Sequence, residues 1–452
     1  MAPRTLRVGN GCGFWGDQPD APVYLVERGD LDFLTLEYLA ELTMSILAQQ
    51  RQRDPQLGYA TDFLEVLSRL CPLWQRYTKL RIITNAGGLN PLSCAERARE
   101  ILGRHGLKKR VAIVRGDDLL PHLDDLLAAG HPLAHMDTGE PLTTVRPRVV
   151  SANVYLGAKP IVEALDQGAD LVITGRVADA SLTVAPAVWT FGWSWQDWDR
   201  LAAATIAGHL IECGAQVTGG LFTDWPLVPN LADVGYPIAE LESDGAFRIL
   251  KPRDSGGMVT IDTVREQLLY EVGDPAAYIT PDVVADFTSV QLAPLEPDGV
   301  EVRHARGKPA TETYKVSAAY RDGYFCSGQI VLTGRDAVEK ARLCADMIRQ
   351  RLRRAGAEPA QYYAEFLGAG DTVPGVWPRV SPYEIVLRIT AWDSQRALLE
   401  RFAREIAPLV TSGPPGVTGY ATGRPPVREV FAYWPALLDK SAVKTEILYW
   451  DT

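Results

Sequence analysis

Cysteine is scarce in this chain of 452 residues, with only six present. None of the six forms a CxxC pair or lies beside a histidine, which argues against a disulfide framework and against a structural zinc site. No apolar run approaches the roughly 20 residues that a membrane helix needs. The opening MAPRTLRVGNG lacks the apolar core of a secretory signal, so we expect a cytoplasmic protein.

Basic residues are outnumbered by acidic residues. Lys and Arg number 46 against 56 Asp and Glu, which gives a net charge of −10. A nucleic-acid-binding protein needs a basic surface to neutralise phosphates, so we expect neither a nucleic-acid partner nor a membrane partner. The chain instead has 46% hydrophobic and 23% charged residues, which is typical of a globular protein, and its length suits two or three domains.

Strands and helices alternate along the first half of the chain. Short apolar runs at residues 6–8, 31–36, 80–84, 111–114, 149–153 and 171–174 read as strands. Amphipathic stretches at 38–52, 63–74, 93–102, 160–167 and 195–210 read as helices. This alternation predicts an α/β domain over residues 1–225, in which a parallel sheet carries helices on both faces.

The second half has a different pattern, with longer and more alternating strands. We expect strands at 301–303, 313–320, 328–333, 384–390 and 445–450, and helices at 336–354 and 395–406. The order β-β-α-β-α-β predicts a smaller antiparallel α+β two-layer domain over residues 226–452. The Pro- and Asp-rich segment 222–237 is the expected hinge between the two domains.

Glycine and polar residues follow three of the predicted parallel strands. Ligands of open parallel sheets bind beyond the carboxyl ends of the strands, where glycine allows backbone amides to approach a ligand. We therefore predict substrate-binding residues in all three loops: Gly11, Gly13, Phe14, Trp15 and Asp17; Asn85, Gly87, Gly88 and Asn90; and Gly175 and Arg176.

The first loop formally matches the dinucleotide fingerprint GxGxxG at residues 11–16, with Glu37 about 20 residues further on. The fingerprint needs a helix that starts within the glycines, but Pro19 and Pro22 intervene here. Phe14 and Trp15 also fill positions that should face a pyrophosphate. We expect these aromatic side chains to pack or to line a pocket, and we predict no cofactor beyond CoA as part of a substrate.

Arg176 and Asp179 directly follow a predicted buried strand. A guanidinium at a strand end suits a carboxylate or phosphate ligand. The alternative is an internal Arg–Asp pair that shapes the loop, and the sequence leaves both open. In the functional interpretation Arg176 holds an anionic group or a thioester oxygen, and Asp179 takes part in acid–base catalysis.

A second candidate group lies at the end of the long helix. If the helix continues through Gly214, four residues share one face at spacings i, i+3, i+4 and i+7: His209, Glu212, Cys213 and Gln216. A glutamate in an apolar cleft can serve as acid or base, so we predict Glu212 and Cys213 as catalytic and His209 and Gln216 as substrate-binding. The structural alternative is a capped helix end with a buried cysteine.

Two acidic stretches resemble metal sites, but solvated surface is the better interpretation, and we predict no metal. They comprise Asp117, Asp118, His122, Asp124 and Asp125, and then His135, Asp137 and Glu140. The glycine- and proline-rich loop 411–419 has no lysine or paired acidic residue that would bind phosphate. We interpret it as a rigid connector or an interface loop.

Several of these motifs resemble the AtuA family, the acyclic terpene utilisation family. The resemblance rests on GNGCGFWGD, LDFLTLEYLAELTMSIL, ITNAGGLNP, LGAKPIVEALDQGADLVITGRVADASL and HLIECGAQVTGG, which span most of residues 6–220. YRDGY at 320–324 and the region 411–430 extend it to nearly the whole chain. Longer members carry a small additional C-terminal domain, so the resemblance implies that this part is a separate partner chain or absent.

Membership of that family implies catabolism of branched acids as CoA thioesters. We therefore expect an enzyme, a lyase, hydratase or isomerase that acts on an acyl-CoA or a hydroxy acid. The alternative function is a non-catalytic or co-catalytic acyl-CoA-binding subunit of a multi-enzyme system. A spacing of about 4–6 Å between the Glu212 and Asp179 carboxyl groups would favour the enzyme.

Large aromatic residues crowd into one short segment, and the chain holds 11 tryptophans. The segment contains Trp189, Phe191, Trp193, Trp195 and Trp198. So many rings are hard to bury within one fold, and tryptophan is enriched at interfaces, so we expect a two-fold homo-oligomer. The alternative is that the rings cap the sheet edge or cover the cleft.

Overall fold

The computed structural model describes residues 5–376, 380–419 and 423–452. Part of the region 411–430 that carries the family resemblance, residues 420–422, lies outside the described residues. The helices are α1 Ala21–Gly29, α2 Glu41–Arg53, α3 Asp62–Arg76, α4 Pro91–Arg104, α5 Leu123–Ala128, α6 Lys159–Asp166, α7 Ser181–Phe191, α8 Trp198–Glu212, α9 Ile261–Leu269, α10 Ala337–Arg354, α11 Arg396–Phe402 and α12 Leu409–Ser412.

Strands of very different length alternate with these helices. The strands are β1 Thr5–Asn10, β2 Phe33–Leu36, β3 Arg81–Thr84, β4 Arg110–Arg115, β5 Val149–Val154, β6 Leu171–Thr174, β7 Ile238–Glu242, β8 Phe247–Leu250, β9 Tyr278–Ile279, β10 Val284–Asp286, β11 Gln291–Leu295, β12 Gly299–Arg303, β13 Arg306–Lys308, β14 Thr313–Thr333, β15 Gln361–Leu367, β16 Glu384–Asp393, β17 Val417–Thr418, β18 Arg428–Asp439 and β19 Glu446–Asp451. The mixed α/β class predicted from the sequence is confirmed.

Five parallel strands form the centre of the large sheet, in the order β1-β2-β3-β6-β4. Strands β2 and β6 are buried along their whole length, as expected for strands covered on both faces. Because the strands are parallel, their carboxyl ends meet at one edge of the sheet. The loops predicted to bind ligand therefore lie along the same edge.

The sheet extends beyond this parallel centre with antiparallel strands, so the large sheet is mixed rather than parallel throughout. Strands β7, β8, β12 and β11 continue it beyond β1, and β19 closes the other side beside β4. Each pairing satisfies backbone groups that an exposed sheet edge would leave open. The terminal strand, predicted in the C-terminal domain, pairs Leu448 with Ile113 of β4 instead.

Two further strand predictions need correction. Strand β5 was expected in the parallel sheet, but it pairs with β14. The predicted strands at 313–320 and 328–333 are one strand of 21 residues, β14. Gly323 within it has a φ of +86°, a conformation that L side chains rarely adopt, so β14 accommodates an irregularity there without ending.

Contacts divide the chain into two compact units, residues 1–319 with 433–452, and residues 320–432. The domain boundary predicted at 225/226 does not coincide with this division. Strands β7, β8, β11 and β12 pair into the sheet that contains β1, so they belong to the first unit. The segment 222–237, expected as a hinge, lies inside that unit.

The second unit contains an antiparallel sheet in the order β15-β16-β14-β17. Alternate residues of β16, Ile385, Leu387 and Ile389, point to its core, as the two-residue period of a strand requires. Helix α10 contributes Ala341, Cys344, Ile348 and Leu352, which share one helical face. The second unit therefore packs an antiparallel sheet and helical residues on one core, and the two-layer layout stays a prediction.

Part of the crowded aromatic segment packs within its own chain, whereas Trp198 is exposed. Trp193 is buried, stacks on Phe191 with ring centroids 5.1 Å apart, and donates a hydrogen bond to the carbonyl of Ser243 at 3.0 Å. Trp189 packs edge-on against Phe33. The expectation that one fold cannot bury these rings is wrong for Trp193, and the homo-oligomer stays a prediction without that anchor.

Candidate functional site

The candidate site combines the carboxyl ends of β1, β2, β3 and β6 with the end of helix α8. The loop after β1 is built for close packing against that helix. A Cβ atom at Gly13 would lie 2.7 Å from the carbonyl carbon of Cys213, and one at Gly11 would lie 2.9 Å from the Cα of Pro22. Glycine at these two positions is therefore required by packing.

Asp17 accepts hydrogen bonds within its own loop and from Tyr236, and its predicted role in substrate binding stays a prediction. Its Oδ2 accepts the backbone N–H of Gly13 at 2.8 Å, and its Oδ1 accepts the Tyr236 hydroxyl at 2.5 Å. These bonds hold the loop after β1 in place. Phe14 in the same loop is exposed and Trp15 is half-buried, so both rings are accessible to a ligand.

In the loop after β3, Asn85 contacts Glu37, and the two glycines are constrained by close packing. Asn85 donates from Nδ2 to Glu37 Oε1 at 2.5 Å and accepts the backbone N–H of Tyr38 at 2.8 Å. A Cβ at Gly87 would lie within 2.5 Å of the Thr174 carbonyl, and Gly88 has a φ of +51° beside Leu47.

Asn90 caps a helix, and its predicted role in substrate binding stays a prediction. Its Oδ1 accepts the N–H of Ser93 in the first turn of α4 at 3.2 Å, and its Nδ2 donates to the carbonyls of Pro55 and Leu57. The side chain is therefore fully used by local structure. An Asn-Pro pair directly before a helix is a sequence signal for this role.

Arg176 lies at the centre of a buried charged cluster after β6. Its Nη1 donates to Asp179 Oδ1 at 2.5 Å, lies 3.9 Å from Glu37 Oε1, and its guanidinium stacks over the Tyr155 ring at 4.2 Å. The internal Arg–Asp pair left open by the sequence therefore exists. The guanidinium Nε is buried without a hydrogen-bond partner in the described residues, so it can still donate to a ligand.

Glu37 is the main site residue that the sequence analysis missed. It follows β2 directly and is 4% exposed. Burial and the charge of Asp179 raise its pKa well above the ordinary value, against the opposing effects of Arg176 and the Asn85 amide. Oε1 accepts the backbone N–H of Leu39 as well as Asn85, whereas Oε2 is buried without a partner in the described residues.

His209 and Glu212 form a hydrogen-bonded pair at the end of α8. His209 Nε2 lies 2.8 Å from the carbonyl of Gln267, which can only accept, so Nε2 carries a proton. His209 Nδ1 lies 3.1 Å from Glu212 Oε1. That second bond also needs a proton, which makes the pair either imidazolium and carboxylate or neutral imidazole and carboxylic acid.

The surroundings of the pair raise both pKa values. Burial raises the pKa of Glu212, and the charge of Asp179 raises it further, although the hydrogen bond from His209 opposes both. Burial lowers the pKa of His209, but the hydrogen bond and charge of Glu212 outweigh it, so the net direction is upward. A proton is therefore held at this position more firmly than either side chain would hold it in water.

Asn10, the last residue of β1, holds the end of α8 in place by hydrogen bonds. Its Nδ2 donates to the carbonyl of Ile211 at 2.8 Å and to that of Glu212 at 3.0 Å. Thr35 of β2 in turn donates to Asn10 Oδ1 at 3.0 Å. The parallel strands thereby set the position of Glu212, which explains why a helix end belongs to a strand-edge site.

The negative charge of Asp179 acts on several other residues of the site. Its carboxylate raises the pKa values of Glu37, Glu212, Cys213 and Tyr278, and it binds Arg176 directly. One third of its side chain is exposed, whereas Arg176 is 2% exposed. Asp179 therefore lies where the buried cluster meets solvent, which is where a substrate would arrive.

Cys213 and Gln216 flank the pair without joining it. Burial raises the pKa of the Cys213 thiol far above its ordinary value, and the charge of Glu212 adds to this. A thiol in that state is a poor nucleophile. Gln216 is half-buried beside the Tyr270 hydroxyl.

Tyr278 and Phe287 close the other side of the pair. The Tyr278 and Phe287 rings pack on the His209 ring, with centroids 5.5 and 5.1 Å away. Both residues lie far along the chain from α8.

Asp117 corrects the interpretation of the acidic stretch after β4 as solvated surface. Its carboxylate Oδ2 accepts the backbone N–H of Arg176 and the Asn153 amide, each at 2.8 Å, and burial raises its pKa to about 7. A Cβ at Gly175 would overlap this carboxylate, so Gly175 serves packing.

The other acidic residues of the two stretches differ from Asp117 in their surroundings. His122, Asp124, Asp125, Asp137 and Glu140 are exposed. Among residues 5–376, 380–419 and 423–452, no cluster of three or more His, Cys, Asp or Glu side chains is arranged to hold a metal ion. Over the same residues, the chain has no helix of the length and apolarity that a bilayer crossing requires.

Fold and site together define an α/β protein with a buried cluster of acidic, basic and imidazole groups at the carboxyl edge of its parallel strands. The chain matches the family model described as acyclic terpene utilisation family protein AtuA over residues 6–449, and it belongs to this family. The comparisons found no matching curated protein and no matching solved structure.

Proposed function

We propose that this protein is an acid–base enzyme of acyclic terpene utilisation, a lyase, hydratase or isomerase that acts on a branched hydroxy acid or acyl-CoA. The proton shared by His209 and Glu212 carries this proposal, because it is a buried proton donor and acceptor next to a second carboxylate, Asp179. Membership of the acyclic terpene utilisation family supports the substrate class.

Unpaired polar atoms support the binding of a polar ligand within the cluster. Glu37 Oε2, Arg176 Nε and Glu212 Oε2 are all buried without hydrogen-bond partners in the described residues. An unsatisfied buried polar atom costs on the order of 1–3 kcal/mol, so three in one cluster are expensive unless a ligand pairs with them. A carboxylate or thioester carbonyl oxygen can accept from Arg176, and a substrate hydroxyl can donate to Glu37 or Glu212.

The proposed chemistry divides the proton transfers between Glu212 and Asp179. For dehydration of a hydroxy acid derivative, one carboxylate removes the proton next to the carbonyl. The carbon–oxygen bond to the hydroxyl breaks, and the protonated partner supplies the proton that makes the leaving group water. His209 stabilises both protonation states of Glu212 through Nδ1, and Arg176 stabilises charge that develops on the carbonyl oxygen.

In this proposal Cys213 lines the site and has no catalytic role. Its buried thiol cannot readily supply the thiolate that covalent catalysis needs. Phe14 and Trp15 lie at the accessible side of the site and are suited to contact an aliphatic chain. No cofactor is needed for the proposed steps, and CoA enters only as part of the substrate.

A turnover assay with matched variants tests the proposal. Enoyl- and 3-hydroxyacyl-CoA esters with branched chains are incubated with wild type, Glu212→Gln and Glu163→Gln, and substrate and product are separated by chromatography. Glu163 is an exposed glutamate on α6 and serves as the control. We expect turnover by wild type and the control, and a loss of about 10²–10⁴-fold in kcat for Glu212→Gln.

The same assay separates the enzyme from a binding subunit. Thermal shift measurements on the same esters report binding independently of turnover, because a ligand that binds the native state raises its stability. Binding of several esters without turnover of any would contradict the enzyme and favour the acyl-CoA-binding subunit.

A further inference from the structure

A cavity of about 610 Å³ lies at the carboxyl ends of β3 and β4. Its walls include residues 88–92, which follow β3, residues 115–119, at the end of β4 and after it, and residues 442–444 with Glu446, at the start of β19. Strands β3 and β4 flank β6 in the sheet, and the chain reaches β4 before it returns to β6. Crevices at such reversals of strand order are where open α/β sheets bind ligands.

The cavity has an apolar wall and a size that suit a small organic molecule. Leu92, Leu119, Leu126 and Val443 line it. Ligand pockets typically measure about 300–1,000 Å³ and are lined mainly by apolar side chains with a few polar groups. An aliphatic chain would remove this wall from water on binding.

One basic side chain of the lining, Lys444, has no ion-pair partner among the described residues. Arg51 pairs with Asp118 at 3.1 Å, and Arg115 pairs with Glu446 at 3.1 Å. Lys444 is exposed and forms no ion pair within the part of the chain that the structure describes. Lys444 is therefore available to an anionic ligand. The third acidic residue of the lining, Asp117, accepts hydrogen bonds from the Arg176 N–H and the Asn153 amide.

We propose that this cavity is a second ligand site, which binds a monoanionic aliphatic carboxylic acid. The chain lies against the wall formed by Leu92, Leu119, Leu126 and Val443, and the carboxylate faces the Lys444 ammonium. A dianion is disfavoured because Asp118 and Glu446 already cancel the two arginines. This proposal goes beyond the acid–base function and does not require Glu212 to be catalytic.

Asp117 connects this cavity to the acid–base cluster. Its side chain lines the cavity, and its Oδ2 accepts the backbone N–H of Arg176, whose guanidinium binds Asp179. Asp117 is therefore shared by the wall of the cavity and by the loop that positions Arg176.

Calorimetric titration with a branched ten-carbon acid, dimethyloctanoate, tests the second site. The acid and its matching alcohol, dimethyloctanol, are titrated into wild type, Lys444→Glu, Leu126→Trp and Lys79→Glu. Lys79 is an exposed lysine at the opposite end of β3 and is the matched control. We expect the acid to bind wild type and the control equally, and Lys444→Glu to weaken binding by about tenfold.

Titrations of two further variants distinguish binding at this site from binding at the acid–base cluster. We expect Leu126→Trp to reduce binding by filling the cavity, and Glu212→Gln to bind the acid as wild type does. Unchanged affinity in both Lys444→Glu and Leu126→Trp would overturn the proposal. Equal affinity for acid and alcohol, or a loss of binding in Glu212→Gln, would also overturn it, whereas inactivity of the enzyme would not.

Discussion

Nδ1 of His209 lies 3.1 Å from Oε1 of Glu212, while Nε2 of the same ring donates to the carbonyl of Gln267. Because the carbonyl fixes one ring proton, the Nδ1–Oε1 bond contains a second proton that both residues share. The pair is held between the ends of β1 and α8 by Asn10 and is covered by Tyr278 and Phe287. The fold therefore holds the His209–Glu212 pair, and the proton that it shares, in a fixed position.

The first prediction concerns the protonation of His209. The wild-type pKa of His209 should lie above the ordinary value of about 6.5, and Glu212→Gln should lower it, because the variant removes the charge that favours imidazolium. Titration of the imidazole signals by NMR measures both values. The exposed-site variant Glu163→Gln should leave the His209 pKa unchanged, and an unchanged value in Glu212→Gln would contradict the shared proton.

The second prediction concerns the ion pair of Arg176. Replacement by Met leaves the Glu37 carboxyl buried without its cation, which should cost about 3–5 kcal/mol of unfolding free energy near neutral pH. Without the guanidinium the pKa of Glu37 rises further above its unfolded value. The native state then binds a proton that the unfolded state has lost, so the variant should lose stability as the pH rises from about 5 to 8.

The double variant Glu37→Gln/Arg176→Met isolates this effect. Glutamine keeps an acceptor for Asn85 and Leu39 and carries no charge. The double variant should be more stable than Arg176→Met at about pH 8, and the gap should narrow at about pH 5. Urea unfolding at the two pH values measures this, and equal stability of both variants at high pH would show that Glu37 is not the unpaired charge.

The third prediction concerns Asp117. Its native pKa of about 7 exceeds the unfolded value of 3.8, so its contribution to stability is fully present below about pH 4 and is lost as the pH rises through 7. This difference of about three pKa units between the native and unfolded states corresponds to at most about 4 kcal/mol of unfolding free energy.

The Asp117→Asn variant tests this prediction. Asparagine can still accept from the Arg176 N–H. The stability of wild type relative to Asp117→Asn should therefore fall between about pH 4 and 8, as followed by thermal unfolding. Parallel stability curves for the two proteins would contradict the raised pKa.

The fourth prediction concerns Cys213. Because burial raises the pKa of its thiol, iodoacetamide should alkylate Cys213 much more slowly than a free thiol at the same pH, as mass spectrometry of the labelled peptides would measure. Cys213→Ser should retain turnover within a few-fold of wild type. Loss of activity comparable to that of Glu212→Gln would instead indicate a covalent role for the thiol.

The parallel centre of the fold was predictable because its signals are local. Strands β3, β4 and β6 are short apolar runs, and helix α4 follows β3 as predicted, whereas α5 after β4 and α7 after β6 were not predicted. The antiparallel additions were not predictable in the same way. Glu446–Asp451 reads as a strand in any sheet, and only its long-range pairing with β4 places it in the first unit. Which strand pairs with which depends on long-range packing, and the local amino-acid pattern of a strand does not indicate it.

The candidate site shows the same division between local and long-range signals. Arg176, Asp179, His209, Glu212 and Cys213 were predicted from strand ends and helix spacing, and the structure brings them together. Glu37 also ends a strand, but it was considered only as part of a dinucleotide fingerprint. Gln267, Tyr278 and Phe287 reach the pair from distant parts of the chain, where nothing in the local sequence indicates it.

Solvent deuterium exchange tests the central claim most directly, because it detects proton removal even when no net reaction occurs. Branched 3-hydroxyacyl- and enoyl-CoA esters are incubated in deuterated water with wild type, Glu212→Gln and Glu163→Gln, and mass spectrometry follows the mass of each ester. We expect deuterium incorporation next to the carbonyl with wild type and the Glu163 control, and its loss with Glu212→Gln. Absence of incorporation and of turnover for every ester that binds wild type would contradict it.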